Sequence, residues 1–196
     1  MCILGIIITI IALYPVYYVL IASISKPFYV DTGDIIYKPY GFCLESYKQI
    51  IGNQKIWIGY GNTIFYTVFG ATVSMVLSTT LAYALASKKL VGKKFLTLFT
   101  IFTMWFNAGM IPTYMNIKSL GLLNSRMAIV LGFGMSTYNM IILKSFFQQI
   151  PDSLEEAAYV DGANNIVIFS KIMLPLSKPA LATVTVFYAI NRWNSY

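Results

Sequence analysis

Histidine is absent from the 196 residues, and cysteine occurs twice, at Cys2 and Cys43, with no CxxC pair. The first absence removes a His-based catalytic triad, and the two together leave a zinc site and a disulfide framework unsupported. Charge is scarce as well: 11% of the residues are Asp, Glu, Lys or Arg, against about a quarter in an ordinary soluble domain. The seven acids sit in two polar segments, with Asp31, Asp34 and Glu45 in one and Asp152, Glu155, Glu156 and Asp161 in the other. No long apolar run therefore holds a carboxylate. Proton- and sodium-coupled transporters usually depend on ionisable groups inside the membrane, so this distribution argues against ion coupling, although backbone carbonyls at broken helices can also hold sodium. The G-x-x-x-x-G-K-[ST] phosphate loop is missing too, which excludes an ATPase of that kind.

What the chain does have is apolar length. Hydrophobic residues make up 58% of it, and its mean hydropathy is +0.69. A hydrocarbon core of about 30 Å takes roughly 20 helical residues to cross, and several such stretches alternate with charged segments. The pattern predicts an all-α, polytopic transmembrane helical bundle embedded in the lipid bilayer of a cell membrane. The net charge of +7 does not point to nucleic acid, because the basic residues lie mostly in loops beside the spans and form no dense stripe. They read as orientation signals.

The first span runs from Cys2 to about Ser25, longer than the apolar run of about 7–15 residues in a signal peptide, and Pro15 is expected to kink it. Residues 26–61 form a polar connection, with a short amphipathic helix around Leu44 to Ile51. Asn62 is the expected N-cap of a second span that reaches about Ser87. The segment KKLVGKK that follows carries Lys88, Lys89, Lys93 and Lys94 and no acid, which marks a cytoplasmic loop. A third span starts near Phe95 and bends or ends around Asn107, Gly109 and Pro112, with 112–125 at the outer surface. The fourth runs from Arg126 or Met127 to about Phe147. Residues 148–178 are polar, and Pro179 suits the first turn of a fifth span that continues to Tyr196. Counting spans places the amino terminus and 148–178 in the cytoplasm and 26–61 outside, so that Cys2 and Cys43 lie too far apart to pair.

Residues 148–178 hold the most chemistry. Ser153 and Glu156 have the spacing of a capping box, which starts a helix. Leu154, Ala157, Ala158 and Asp161 recur at three to four residues, giving a small apolar face edged by a carboxylate that another protein can approach closely, and Gly162 is placed to end the helix. A second amphipathic stretch runs from about Asn165 to Met173, with Ile166, Phe169, Ile172 and Met173 along it, and Leu174-Pro175 is expected to stop it.

Taken together, Glu156-Ala157-Ala158, Gly162, Ile172, Leu174 and Pro175 follow the pattern EAA, three residues, G, nine residues, I-x-LP. This resembles the cytoplasmic EAA signature of permease subunits in bacterial ABC importers of the type I kind. Asn62-Thr63, Ala82-Tyr83-Ala84-Leu85 before the basic loop with Gly92, the run Gly109 to Tyr114, the run Ser119 to Asn124, and Trp193-Asn194-Ser195-Tyr196 resemble the carbohydrate-uptake branch. Within it they are most similar to oligosaccharide and polysaccharide permeases of Gram-positive bacteria. Members of that family usually have six spans; five are seen here, and the chain reads as one permease domain cut at its carboxyl end.

The resemblance implies a transport subunit that is not itself an enzyme. Ser153, Glu155, Glu156, Ala157, Ala158, Asp161, Gly162, Ile172, Leu174 and Pro175 would couple it to a cytoplasmic ATP-binding subunit, which holds the ATP and magnesium; this chain needs no cofactor or metal of its own. A second permease subunit, as a heterodimer, and an extracellular solute-binding protein complete the expected partners. Tyr138, Asn139, Asn191, Arg192 and Asn194 are candidates for a sugar path, with Arg192 alternatively snorkelling to the outer surface. A permease for amino acids, metals or phosphate would share the EAA loop and stays open as an alternative, as does, more remotely, an ion-coupled secondary transporter.

Overall fold

A computed structural model describes residues 2–106, 108–132 and 134–195. Among them there are helices and no strands, as the hydropathy pattern predicts. Two helices are individually long and apolar enough to cross a membrane, and three bent helix pairs bring the number of possible spans to five. The chain divides into two compact units, residues 1–60 and 61–196.

In the first unit, α1 (Cys2–Ser23) runs unbroken through Pro15. It exposes large aliphatic side chains on all sides, as suits a helix surrounded by lipid rather than one with a single core face. The segment after it is not a free loop. The short helix α2 (Pro27–Asp31) is followed by residues that fold back: the Tyr17 hydroxyl donates to the Tyr37 carbonyl at 2.6 Å. The amides of Lys26 and Cys43 donate to the carbonyls of Tyr40 and Ile24, and Ile35 is fully buried. The amphipathic helix expected at Leu44 to Ile51 is α3 (Glu45–Gly52).

Helix α4 (Gln54–Ala86) is 33 residues long, roughly 50 Å at 1.5 Å per residue, and so outreaches the hydrocarbon core. Asn62 lies inside it and caps nothing. The cap is Asn53, whose Oδ1 accepts from the Lys55 amide at 3.1 Å and whose carbonyl accepts from Ile56. Gly59 and Gly61 cost about 1 kcal/mol each in a helix, too little to break one so long.

The second unit continues with α5 (Lys93–Trp105) and α6 (Met110–Ser119), whose axes differ by 116°. The expected bend is therefore present; Asn107, named for it, lies outside the described residues. Pro112 falls in the first turn of α6, where no amide is needed. The fourth span is broken where continuity was expected, into α7 (Arg126–Gly132) and α8 (Thr137–Phe147), inclined by 49°. Gly132 and Gly134 weaken the helix there, and Ser136 restarts it by accepting from the Asn139 amide.

Then come α9 (Asp152–Val160), α10 (Asn165–Ile168), a π turn (Phe169–Met173), α11 (Leu174–Leu176) and α12 (Lys178–Trp193). Leu174-Pro175 does not stop the helix as expected. The π turn absorbs the missing proline amide and the clash with the preceding carbonyl, so the helix persists to Leu176 before an 82° bend. Its inward side chains are Ile168 and Met173, while Ile166, expected on that face, is 75% exposed. The core joins Ala82 and Leu85 of α4, Met140, Leu143 and Phe147 of α8, Ala158 of α9, and Ala180, Val184 and Tyr188 of α12.

Candidate functional site

Two regions of the second unit hold the side chains picked out in the sequence. The first is α9 and its flanks. Pro151 precedes the helix and no side chain caps it, so the reciprocal capping of Ser153 and Glu156 is not formed. The helix starts two residues early, which places Ser153 in its first turn. Asp152, the first residue, is ion-paired with Lys88, and acids in a first turn favour the helix dipole. The carboxyl end is as expected: Gly162 has φ of 79°, its amide donates to the Tyr159 carbonyl, and the Ala163 amide donates to Ala158. Those two bonds close a Schellman motif, which glycine enters at little cost.

Helical spacing and burial divide α9 into two faces. Ala158 is buried, and Glu155 and Tyr159 are half-buried. Ser153, Leu154, Glu156, Ala157, Val160 and Asp161 are exposed, Val160 by 88%. Of the residues expected to couple to an ATPase, Glu155 and Ala158 thus face their own chain. Ile172 and Leu174 are half-buried against the core, and Pro175 is exposed.

The basic segment 88–94 does more than mark orientation. Lys88 pairs with Asp152, and that hydrogen bond, with the carboxylate's charge, raises the lysine pKa above its usual value. Lys89 lies 3.4 Å from the centre of the Tyr159 ring, a cation–π contact. The Tyr159 hydroxyl hydrogen-bonds Asn165 Oδ1, and the Lys93 ammonium donates to the Ala86 carbonyl at 2.7 Å, closing the end of α4. Tyr83 packs against Phe169 with ring centres 5.0 Å apart and planes tilted by 35°, and meets Phe147 edge-on at 6.4 Å. The signal for these contacts is weak in the sequence, because a run of lysines beside a span has a sufficient topological explanation.

The second region is a cavity of about 290 Å³ beside the α7–α8 break, lined by Gly132, Gly134, Met135, Ser136, Tyr188, Asn191, Arg192 and Ser195. Arg192 does not snorkel outward: it is 4% exposed, and its guanidinium donates to the Ile129 carbonyl and to Ser74 Oγ, each at 3.2 Å. Gly70 makes room for it, since a Cβ there would lie 3.0 Å from Nε. One turn earlier on α12, the Tyr188 hydroxyl is 2.6 Å from Ser78 Oγ and accepts from the Ser136 amide at 2.9 Å. Small residues four apart on α4 thus receive long polar side chains four apart on α12. The structure brings Asn191 and Arg192 to this cavity and leaves the other candidates elsewhere. Asn139 is buried on α8 and Tyr138 exposed, and Asn194 borders a separate, mainly apolar recess with Thr67, Ala189, Ile190 and Trp193. Sequence reasoning missed Tyr188 and Ser136, whose pairing depends on the unforeseen break in the fourth span. Tyr196 lies outside the described residues.

Comparison with known proteins places this arrangement. The chain is 44% identical over 186 residues to the polygalacturonan/rhamnogalacturonan transport system permease protein YtcP of Bacillus subtilis (strain 168), covering 95% of this chain and 65% of that protein. It is 39% identical over 186 residues to protein LplC of the same organism, covering 95% of this chain and 63% of that one. The chain therefore spans a little under two thirds of the length of these relatives. Among solved structures, a bacterial ABC transporter involved in the import of the acidic polysaccharide alginate matches all of this chain and 70% of its own, with a TM-score of 0.96 and 42% identity. The profile of the binding-protein-dependent transport system inner membrane component matches residues 78–196, a stretch that holds both α9 with its Gly162 turn and the cavity. The chain belongs to that family of multi-pass inner membrane transport-system components.

Proposed function

We propose that the chain is a membrane-spanning subunit of an ATP-driven importer for oligosaccharides, coupled to a separate ATPase through α9. The observation that carries this reading is the outward face of α9. Ser153, Leu154, Glu156, Ala157, Val160 and Asp161 stand exposed ahead of a glycine turn, on a helix fastened to the bundle from behind. A short helix so mounted can be held by a soluble partner without being pulled from its own core. In this reading the segment 148–178 is cytoplasmic, 26–61 is extracellular, and a partner ATPase binds ATP and magnesium. A second permease subunit completes the membrane pore, and an extracellular binding protein delivers the solute.

For the solute, the relative named for polygalacturonan/rhamnogalacturonan transport and the alginate importer support a carbohydrate, and specifically an acidic one. The lining of the cavity agrees: Asn191, Ser136 and Ser195 offer hydrogen bonds suited to sugar hydroxyls, and Arg192 supplies a permanent positive charge. Permeases for amino acids, metals or phosphate share the coupling loop, and the comparison with sugar importers is what favours carbohydrate over them.

The test is reconstitution of the complete transporter in vesicles, with uptake of trigalacturonate measured beside its carboxyl-reduced, neutral counterpart. ATP-dependent uptake of the acidic form, at least several-fold above the neutral one, is expected. Uptake of neither, with a competent ATPase present, would remove the oligosaccharide assignment.

A further inference from the structure

Movement imposed on α9 has two routes into the membrane. One is covalent and passes the Gly162 turn, the π turn and the 82° bend before it reaches α12. Three irregular joints make that a compliant path. The other is through side chains. Asp152 and Tyr159 are seven residues apart, hence on the same face of α9, and they meet the consecutive residues Lys88 and Lys89 just beyond the end of α4. The Tyr159 hydroxyl reaches Asn165 Oδ1 on the far side of the Gly162 turn, and the Asn165 carbonyl lies 3.5 Å from the Tyr83 hydroxyl in the last turn of α4. The Tyr83 ring packs on Phe169 of the π turn and Phe147 of α8.

Resting on the coupling role of α9 given above, we propose that Tyr83, Lys88 and Lys89 are positioning residues that transmit the displacement of α9 directly into α4. Helix α4 is the element whose Ser74 and Ser78 hold Arg192 and Tyr188 at the cavity. A push on α9 that reaches α4 by this route therefore arrives at the polar seam beside the proposed solute path without passing through α12. The lysines are poor candidates for a purely stabilising role. The Lys88–Asp152 pair is solvent-exposed on both sides, and exposed pairs contribute little to stability. Their placement matters for direction: they join the loop after α4 to both ends of one face of α9, so a tilt of the helix that keeps these contacts carries that loop along. None of the three residues lies on the outward face of α9, so the surface offered to the ATPase is untouched by changing them.

The experiment uses the complete reconstituted transporter with its ATPase, second permease and binding protein, and compares K88A/K89A, Tyr83→Leu and the charge exchange Lys88→Glu with Asp152→Lys. Uptake and ATP hydrolysis are measured together, with trigalacturonate as the solute. In K88A/K89A the ATPase should still co-purify and hydrolyse ATP at the unaltered rate, while solute moved per ATP falls at least about fivefold. Tyr83→Leu should show the same signature, and the charge exchange should restore at least half of the lost ratio. Unchanged solute per ATP in K88A/K89A would overturn the proposal even if Tyr83→Leu failed to fold. So would loss of ATPase co-purification, because the lysines would then serve docking. Failure of the unaltered complex to take up any oligosaccharide would instead strike at the reading on which this one rests.

Discussion

At the scale of single residues, Gly162 and Arg192 show two kinds of legibility. Gly162 was readable because its requirement is local: a helix that ends in the left-handed region selects glycine, and φ of 79° confirms the turn. Its surroundings add something the sequence could not. A Cβ built at Gly162 meets nothing within 4 Å, so within this chain alone a substitution costs only backbone strain, about 1–2 kcal/mol for an ordinary residue. Asparagine tolerates that conformation better than alanine but is bulkier. If the glycine serves only to end α9, G162N should work better than G162A. If it also admits a partner's backbone, G162N should be the worse of the two. We expect the second order, with both variants inserted normally and G162N retaining several-fold less ATPase on co-purification from membranes; the reverse order would confine Gly162 to helix termination. Arg192 was visible as an isolated charge, but its destination was not, because the acceptors at Ile129 and Ser74 lie 63 and 118 residues away.

At the scale of elements, composition located the apolar runs but not where helices begin or break. The start of α4 is expected at Asn62 because an asparagine side chain can cap a helix, yet the helix begins at Gln54, capped by Asn53, and passes cooperatively over Gly59, Gly61 and Asn62. The sequence predicts simpler structure at both the π turn and the break between α7 and α8: the first is a local adjustment around Pro175, and the second depends on a tertiary partner. The break shows how such a partner acts. Its restart at Ser136 is pinned by the Tyr188 hydroxyl, which accepts the Ser136 amide and also bonds Ser78. Tyr188→Phe keeps the ring and removes both bonds, leaving the half-buried Ser136 amide and the buried Ser78 hydroxyl without this partner, at a cost of about 1–3 kcal/mol. The expected outcome is a thermal unfolding midpoint lowered by several degrees in detergent. Ser78→Ala, which removes one partner but leaves the Ser136 amide satisfied, should cost less. Equal midpoints for the unaltered chain and Tyr188→Phe would mean that the hydroxyl does not hold the break.

At the scale of the whole molecule, the five-span reading from hydropathy and the two long helices and three bent pairs of the structure agree, because a membrane leaves the backbone few ways to satisfy its amides. Orientation is a separate matter and rests on charge. The segment 88–94 carries four lysines and no acid, whereas 26–61 carries four lysines with Asp31, Asp34 and Glu45. Acids weigh little in the positive-inside rule, so the two segments compete, and shortness and charge density favour 88–94 as the cytoplasmic one. The structure supplies good reporters for each side. Val91 is 92% exposed, and Gly33 is exposed at a turn where an added Cβ meets nothing. Cys43 is a free, half-buried thiol, so both native cysteines should first be replaced by serine. In that background, an impermeant maleimide applied to intact cells should label G33C and spare V91C, and permeabilisation should expose V91C to the same reagent. Labelling of V91C in intact cells with protection of G33C would invert the topology. It would put α9 on the outer side, away from any source of ATP, and the coupling proposed for that helix would fall with it.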